Sequence, residues 1–136
     1  MTLTVDNISE PINIKGVDIT IIQNKLKSLD GRITSFLILT DPESNSFIQC
    51  AGNTERLTVE QREFNKNEFR HFVIGKNVEN TTLEWTQINC KVGPINIQSN
   101  EALNVSDAYA LFAIFLNRYE IPDNYIKRDV TEQFTE

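Results

Sequence analysis

His71 is the only histidine of the 136-residue chain, and histidine is the residue type that most often moves protons at neutral pH. As a general base it would need a nucleophile or an acidic partner within hydrogen-bonding distance. The sequence offers Glu63 and Glu68 as acidic partners but fixes no geometry for either. One histidine also cannot build a histidine-rich metal site. We therefore predict a strand histidine that bonds a neighbour or faces water, and not a catalytic residue.

The other residue types that could carry chemistry lack the necessary spacing. Cys50 and Cys90 stand alone in strand-like stretches, with no paired spacing that would bind zinc or exchange disulfides. We expect both thiols to be reduced, and mostly buried or neutral. The carboxylates show no pairing pattern for acid–base work, and the five glycines form no phosphate-binding loop. The sequence predicts a protein that is not an enzyme and that uses no metal or cofactor.

Charged residues of both signs alternate along residues 53–70, where glutamates are interleaved with arginines and a lysine. Two interpretations of this segment remain open. It is typical of a solvated sheet face with cross-strand ion pairs, and also of a protein-binding face whose acidic residues attract a basic partner. A second acidic surface, around Asp123 and Asp129, is the alternative, because charge density alone does not choose between two faces. The candidate partner-binding residues are Glu55, Glu60, Glu63 and Glu68.

The clearest element that must position such residues is a helix near the carboxyl end of the chain. Its apolar residues recur at the spacing of one helical face: Ala108, Leu111, Phe112, Phe115 and Tyr119. Ser106 is the predicted N-cap, and the Ile121–Pro122 pair is predicted to end the helix. The apolar run 108–116 has nine residues, far fewer than the ~20 that cross a bilayer. We predict a helix of the hydrophobic core and no membrane span.

Upstream, runs of β-branched and aromatic residues predict strands. Residues 32–41 and 46–52 form one predicted hairpin, and residues 55–64 and 68–76 form a second. Two further strands are expected at residues 82–90 and 93–98. The segment 16–31 fits both a helix and a strand, and we predict a helix from about Asp18 to Leu29, because Asp18 can cap it and Gly31 lies just past its end.

These elements predict one domain, residues 1–136, of the α+β class. Its mainly antiparallel sheet of about six strands would carry one N-terminal and one C-terminal helix packed on it. The formal net charge of −6 disfavours nucleic acids and anionic membranes and favours a basic partner. The first residues lack the basic start and apolar stretch of a secretory signal, so we expect a cytoplasmic protein.

From about Ser35 onward, the order of segments resembles the small immunity proteins encoded beside bacterial polymorphic toxins, as in contact-dependent inhibition systems. The resemblance lies in the strand of Trp85, the glycine-containing strand followed by "NEAL", the apolar helix after Ser106, and the "IPxxY" motif that follows it. It implies a protein that neutralises a cognate nuclease, deaminase or other toxin domain by binding it, with no catalysis of its own. It carries over no binding residue.

The function that we expect is therefore that of an immunity protein that blocks the active site of a toxin domain with a basic surface. Two alternatives stay open. The eight phenylalanines, three tyrosines and one tryptophan could line a small-molecule pocket, although a core requires such residues anyway. An accessory or scaffold subunit would show the same acidic surface.

Overall fold

The computed structural model describes residues 1–78 and 82–134, and it contains an α+β fold with a mainly antiparallel sheet. Within these residues the helices are α1, Ile19–Leu26, and α2, Val105–Leu116. Two 3₁₀ turns span Ser99–Glu101 and Thr131–Phe134. The strands are β1 Thr2–Val5, β2 Ile12–Lys15, β3 Phe36–Thr40, β4 Phe47–Gly52, β5 Leu57–Asn65, β6 Glu68–Lys76, β7 Trp85–Cys90, β8 Gly93–Gln98 and β9 Tyr125–Asp129.

Seven strands form the main sheet, in the order β2-β1-β3-β4-β5-β6-β9, and every neighbouring pair is antiparallel. The two predicted hairpins are confirmed as β3–β4 and β5–β6. Their turns contain Asn45 and Lys66 with positive φ of 65° and 61°, the left-handed conformation that lets two antiparallel strands meet within a few residues.

One face of the main sheet packs against both helices. Because side chains alternate across a strand, pairs of buried apolar residues meet in register on this face, among them Leu3–Leu39, Leu39–Ile48 and Val59–Ile74. The sheet contributes Leu3, Leu37, Leu39, Ile48, Cys50, Val59 and Ile74 to this core. Helix α1 adds Ile22 and Leu26, and helix α2 adds Ala108, Leu111 and Phe112. The prediction that the apolar run of α2 belongs to the core is confirmed for Ala108, Leu111 and Phe112, with Phe115 partly buried beside them. Tyr119, predicted on the same face, lies beyond the end of the helix and is 73% exposed.

Both ends of α2 differ from the sequence prediction. Asn104, and not Ser106, caps the helix: its side chain accepts from the N–H of Asp107, and the Asp107 carboxylate accepts from the N–H of Asn104. This reciprocal capping box fixes the start two residues earlier. The helix ends at Leu116, since Asn117 bonds back to Ala113, well before the predicted stop at Ile121–Pro122.

The predicted arrangement of helices at the two ends of the chain is not what the structure shows. Strands β1 and β2 precede α1, and strand β9 follows α2, so the sheet contains more strands than the six expected. Asp18 does cap α1 by accepting from the N–H of Ile21, as predicted, but the helix ends at Leu26 and not at Leu29. No helix in the described ranges is long and apolar enough to span a bilayer.

Strands β7 and β8 pair only with each other and cover the opposite face of the main sheet. Ile88 and Ile97 of this hairpin pack on Val73 of β6 and on Val130, forming a second, smaller core. The far end of the hairpin is held by Lys91, whose ammonium group lies 2.7 Å from the buried carboxylate of Asp6. The molecule therefore has three layers: helices, main sheet and hairpin.

Candidate functional site

The four glutamates predicted to bind a partner do not lie on one face. Glu55 is in the loop between β4 and β5, and the strand register directs Glu60 to the hairpin side of the sheet. Glu63 and Glu68 occupy the alternate positions of the strand register, so their side chains start from the other face of the sheet, at the tip of the β5–β6 hairpin. Glu63 forms an ion pair with Lys127 of β9 at 3.2 Å. Within the described residues, neither Glu55 nor Glu68 forms an ion pair.

Three of these glutamates nevertheless border a pair of adjoining clefts on the hairpin side of the sheet. The outer cleft, of about 1390 Å³, is bounded by the β5–β6 tip, β9 and the last 3₁₀ turn. Its lining includes Glu63, Glu68, Arg70 and Asp129. The inner cleft, of about 640 Å³, lies between the main sheet and the β7–β8 hairpin, with Thr58, Glu60, Val73 and Ile97 in its walls. Glu55 borders neither cleft.

Trp85 and Arg128 line both clefts and so mark their junction. The Trp85 side chain is 65% exposed, which is unusual for the largest apolar side chain. The guanidinium carbon of Arg128 lies 5.2 Å from the centre of a Trp85 ring, within the range of a cation–π contact. An exposed tryptophan held against an arginine between two concavities is the most prominent surface feature of this face.

Arg128 is fixed by a buried carboxylate. Its Nε and Nη2 atoms each donate to Glu101 at 2.8 Å, and Glu101 is 1% exposed. Hydrogen bonding to Glu101 raises the pKa of Arg128 above its usual value, so the guanidinium stays charged. The turn that carries Glu101 packs so closely on β6 that a Cβ at Gly75 would lie 2.9 Å from Glu101 Cγ. Glycine at position 75 therefore allows this contact.

His71 lies on the same face and is almost fully buried. Its Nδ1 accepts from Arg62 Nε at 3.0 Å, and arginine can only donate, so the ring proton is on Nε2. Nε2 then donates to Glu60 Oε1 at 2.8 Å. The acidic neighbour of His71 is thus Glu60, and not Glu63 or Glu68 as the sequence suggested. Both ring nitrogens are occupied by neighbouring side chains, as predicted for a bonded strand histidine.

Aromatic rings enclose this network and connect it to the last 3₁₀ turn. The Arg62 guanidinium lies 4.2 Å from the Phe69 ring centre and 4.7 Å from that of Phe134. The His71 and Phe134 rings are 4.4 Å apart. These contacts fix the turn Thr131–Phe134 beside the outer cleft. The His71 network therefore holds one wall of that cleft in place, although His71 itself does not line it.

The cysteines lie away from both clefts. Cys50 is buried in the helix-side core, and Cys90 is partly exposed at the end of β7; both are free thiols, as predicted. In the part of the chain that the structure describes, no cluster of three or more histidine, cysteine or acidic side chains has the arrangement of a metal site.

Sequence reasoning missed the residues at the centre of this site. Trp85 was assigned only to a strand, and Thr58 and Arg128 were not singled out. No signal in the sequence indicated an exposed Trp85, because the predicted strand 82–90 places it inside the strand, whereas β7 begins at Trp85. The alternative acidic surface is divided, since Asp129 lines the outer cleft and Asp123 does not. No protein-family model matches this chain, and comparisons with curated proteins and with solved structures give no match either.

Proposed function

We propose that this protein is an immunity protein that binds a bacterial toxin domain through the two clefts on its hairpin face and blocks the toxin's active site. The observation that carries the proposal is the exposed Trp85 held against Arg128 where the clefts meet. Tryptophan and arginine are the residue types that most often anchor protein interfaces, and they do so at the centre of a contact area with an acidic or polar rim.

The acidic residues around the outer cleft favour a partner with a basic surface. Glu63, Glu68 and Asp129 line the outer cleft, and the whole chain has a formal net charge of −6. A toxin that cleaves or deaminates nucleic acid binds phosphates with lysines and arginines. An acidic inhibitor would be steered to that same surface, with association accelerated by ~10- to 10³-fold at low salt. The proposed toxin class is therefore a nuclease or a nucleic-acid deaminase, and the encounter takes place in the cytoplasm.

The first test is capture of the partner from the native cell with the tagged full chain, identification by mass spectrometry, and co-expression with the toxin recovered. We expect rescue of growth by the wild-type protein. Growth arrest that is equally complete with and without this protein would contradict the proposal.

The second test locates the interface. Trp85→Ala should weaken toxin binding by at least about thirtyfold, as expected of an interface anchor, while Tyr119→Ala should not. Tyr119 is a matched control because it is 73% exposed and lines neither cleft. Glu68→Lys should slow association and reduce its salt dependence, whereas Glu10→Lys, an exposed charge remote from the clefts, should do so less. Equal effects within either pair would place the interface elsewhere.

A small-molecule-binding module is the second candidate, because the inner cleft of about 640 Å³ lies in the size range of ligand pockets. A metabolite at 100 times its Kd adds ~2.7 kcal/mol to the free energy of unfolding. A rise in melting temperature with one metabolite fraction, together with no captured toxin, would favour this function.

A further inference from the structure

We infer that the inner cleft is the pocket for an arginine side chain of the partner, with Glu60 and Thr58 binding its guanidinium group. The inference rests on the proposed function, because it names the group of the toxin that enters the site. It is carried by an unpartnered hydroxyl, a carboxylate that forms no ion pair with a lysine or arginine of the described residues, and apolar walls suited to an aliphatic stem.

The unpartnered hydroxyl belongs to Thr58. This residue is 1% exposed and lines the inner cleft, and its Oγ1 has no hydrogen-bond partner among the described residues. A buried hydroxyl without a partner is costly, so native proteins seldom retain one unless a ligand or water completes it. Because Thr58 and Glu60 are two residues apart on β5, both side chains are on the hairpin side of the sheet.

The carboxylate of Glu60 supplies the negative charge. Its Oε1 accepts from His71, and its Oε2 has only a long contact of 3.3 Å with the Gln49 amide. Within the described chain it forms no ion pair with a lysine or arginine. The cation in the cleft wall, Arg128, is already paired twice with Glu101. Arg62 is the other cation of this network, but the His71 ring lies between its guanidinium group and the Glu60 carboxylate.

The apolar residues of the inner cleft suit the aliphatic part of an arginine side chain. Val73, Ile95 and Ile97 offer apolar surface for its methylene groups, and Trp85 borders the cleft with a largely exposed ring. The forked donors of a guanidinium can reach a carboxylate and a hydroxyl at once, whereas an ammonium group is a more strongly hydrated point charge. An arginine therefore fits this combination of acceptors better than a lysine.

The test needs no toxin, because Trp85 is the only tryptophan of the chain and its fluorescence reports on the cleft. The purified full chain is titrated with the capped tripeptide acetyl-Gly-Arg-Gly-amide and with its citrulline counterpart, a neutral isostere. We expect a saturable fluorescence change with the arginine peptide and binding weaker by about tenfold or more with citrulline. No saturable change, or equal binding of the two peptides, would overturn the inference.

Two variants assign the binding to the named residues. Glu60→Gln keeps an acceptor for His71 but removes the charge, and should weaken arginine-peptide binding by about tenfold, while Glu10→Gln, at an exposed residue that lines neither cleft, should leave it unchanged. Thr58→Val should weaken binding roughly threefold without lowering the melting temperature, because it removes an unpartnered hydroxyl. Thr40→Val, on a strand remote from the cleft, is its control. Binding unchanged in both Glu60→Gln and Thr58→Val would overturn the assignment.

The experiments distinguish a failure of the arginine pocket from a failure of the proposed immunity function. If toxin binding is abolished by Trp85→Ala but unchanged in Glu60→Gln and Thr58→Val, the immunity function stands and the arginine pocket is wrong. If the peptide binds as expected but no toxin is captured or neutralised, the pocket stands and the proposed function is wrong. If Glu60→Gln fails to fold, the Thr58→Val variant and the citrulline peptide still test whether the inner cleft binds arginine.

Discussion

Two chemically identical thiols of this protein have different surroundings. Burial beneath the helices raises the pKa of the Cys50 thiol to about 12, although a backbone hydrogen bond with Leu37 acts in the other direction. Cys90 is partly exposed, with its Sγ atom 3.4 Å from the Gly93 carbonyl oxygen. A thiol reacts as the thiolate and only where reagent can reach it, so the two should differ in reactivity.

We predict that iodoacetamide at about pH 8 alkylates Cys90 and leaves Cys50 unmodified in the folded protein. Intact-mass measurement should show a single adduct, which peptide mapping assigns, and Cys90→Ser should show none. Both thiols of the wild-type protein should react in denaturant. Native labelling of Cys50 at the rate of Cys90 would contradict the position of Cys50 in the core.

Tyr125 gives a prediction about alkaline pH. Burial raises the pKa of its hydroxyl to about 12, and a hydrogen bond to Asp107 Oδ1 at 3.0 Å, with the charge of that carboxylate, acts in the same direction. The folded state thus favours the protonated hydroxyl. The resulting stabilisation is fully present below the unfolded pKa of about 10 and is lost as pH rises through about 12.

Urea unfolding at pH values from about 8 to 11 should therefore show a steeper loss of unfolding free energy in the wild type than in Tyr125→Phe, which has no proton to lose. At about pH 8 the phenylalanine variant should be the less stable, since it leaves Asp107 without that donor. Parallel pH profiles of the two proteins would show that the Tyr125 hydroxyl is not perturbed by folding.

Helix α2 contributes Phe112, one of the largest fully buried side chains, to the core. Phe112 is fully buried between this helix and the sheet, and its truncation leaves a cavity. We predict that Phe112→Ala lowers the unfolding free energy by about 3 to 5 kcal/mol, a large part of a total of ~5 to 15 kcal/mol. Tyr119→Ala, beyond the end of the helix, should change it by less than about 0.5 kcal/mol. Chemical denaturation measures both, and a neutral Phe112→Ala would refute the core assignment.

Local sequence signals determined how well each element was predicted. The β3–β4 and β5–β6 hairpins combine alternating apolar residues with turn formers, so both were predictable. Strands β1 and β2 have four residues each, and β2 is an edge strand with an exposed Ile12, so their pattern is weak. The start of α2 was misplaced because Asn104 and Ser106 are both good caps, and only the Asp107 side chain decides between them.

The candidate site was less predictable than the elements because it depends on contacts between distant segments. Arg128 meets Glu101 and Trp85 only after β9 has paired with β6 and the β7–β8 hairpin has folded over the sheet. No local pattern in the sequence of β7 and β8 predicts that this hairpin covers the face of the main sheet opposite the helices. Glu60, Glu63 and Glu68 do lie on β5 and β6 as predicted, whereas Glu55 lies in the loop before β5. The division of the three strand glutamates between two faces follows from register, which charge spacing does not reveal.

At the scale of the whole molecule, the strands of the main sheet and of the β7–β8 hairpin differ in how many neighbouring strands they are hydrogen-bonded to. The central strands of the main sheet have neighbours on both sides, whereas β7 and β8 pair only with each other. The Lys91–Asp6 ion pair holds the far end of this hairpin. We predict that hydrogen exchange is faster in β7 and β8 than in β3, β4 and β5.

Lys91→Gln should accelerate exchange in β7 and β8 further while leaving the central strands unchanged, and Lys15→Gln, on the distant edge strand β2, serves as its control. Hydrogen–deuterium exchange with mass spectrometry follows both. Uniform protection of all three layers, or equal acceleration everywhere, would mean that the hairpin opens only when the whole molecule unfolds.

Strand β9 follows all the other strands in chain order, yet it supplies the arginine at the junction of the clefts. On the ribosome, which adds ~5 to 20 residues per second, Glu60 and Trp85 emerge well before Arg128. A nascent chain that stops short of β9 therefore carries Glu101 without its guanidinium partner and a junction without its cation. The junction of the two clefts is completed only when translation has passed β9, so a partner that needs Arg128 there would bind the finished chain and not a nascent one.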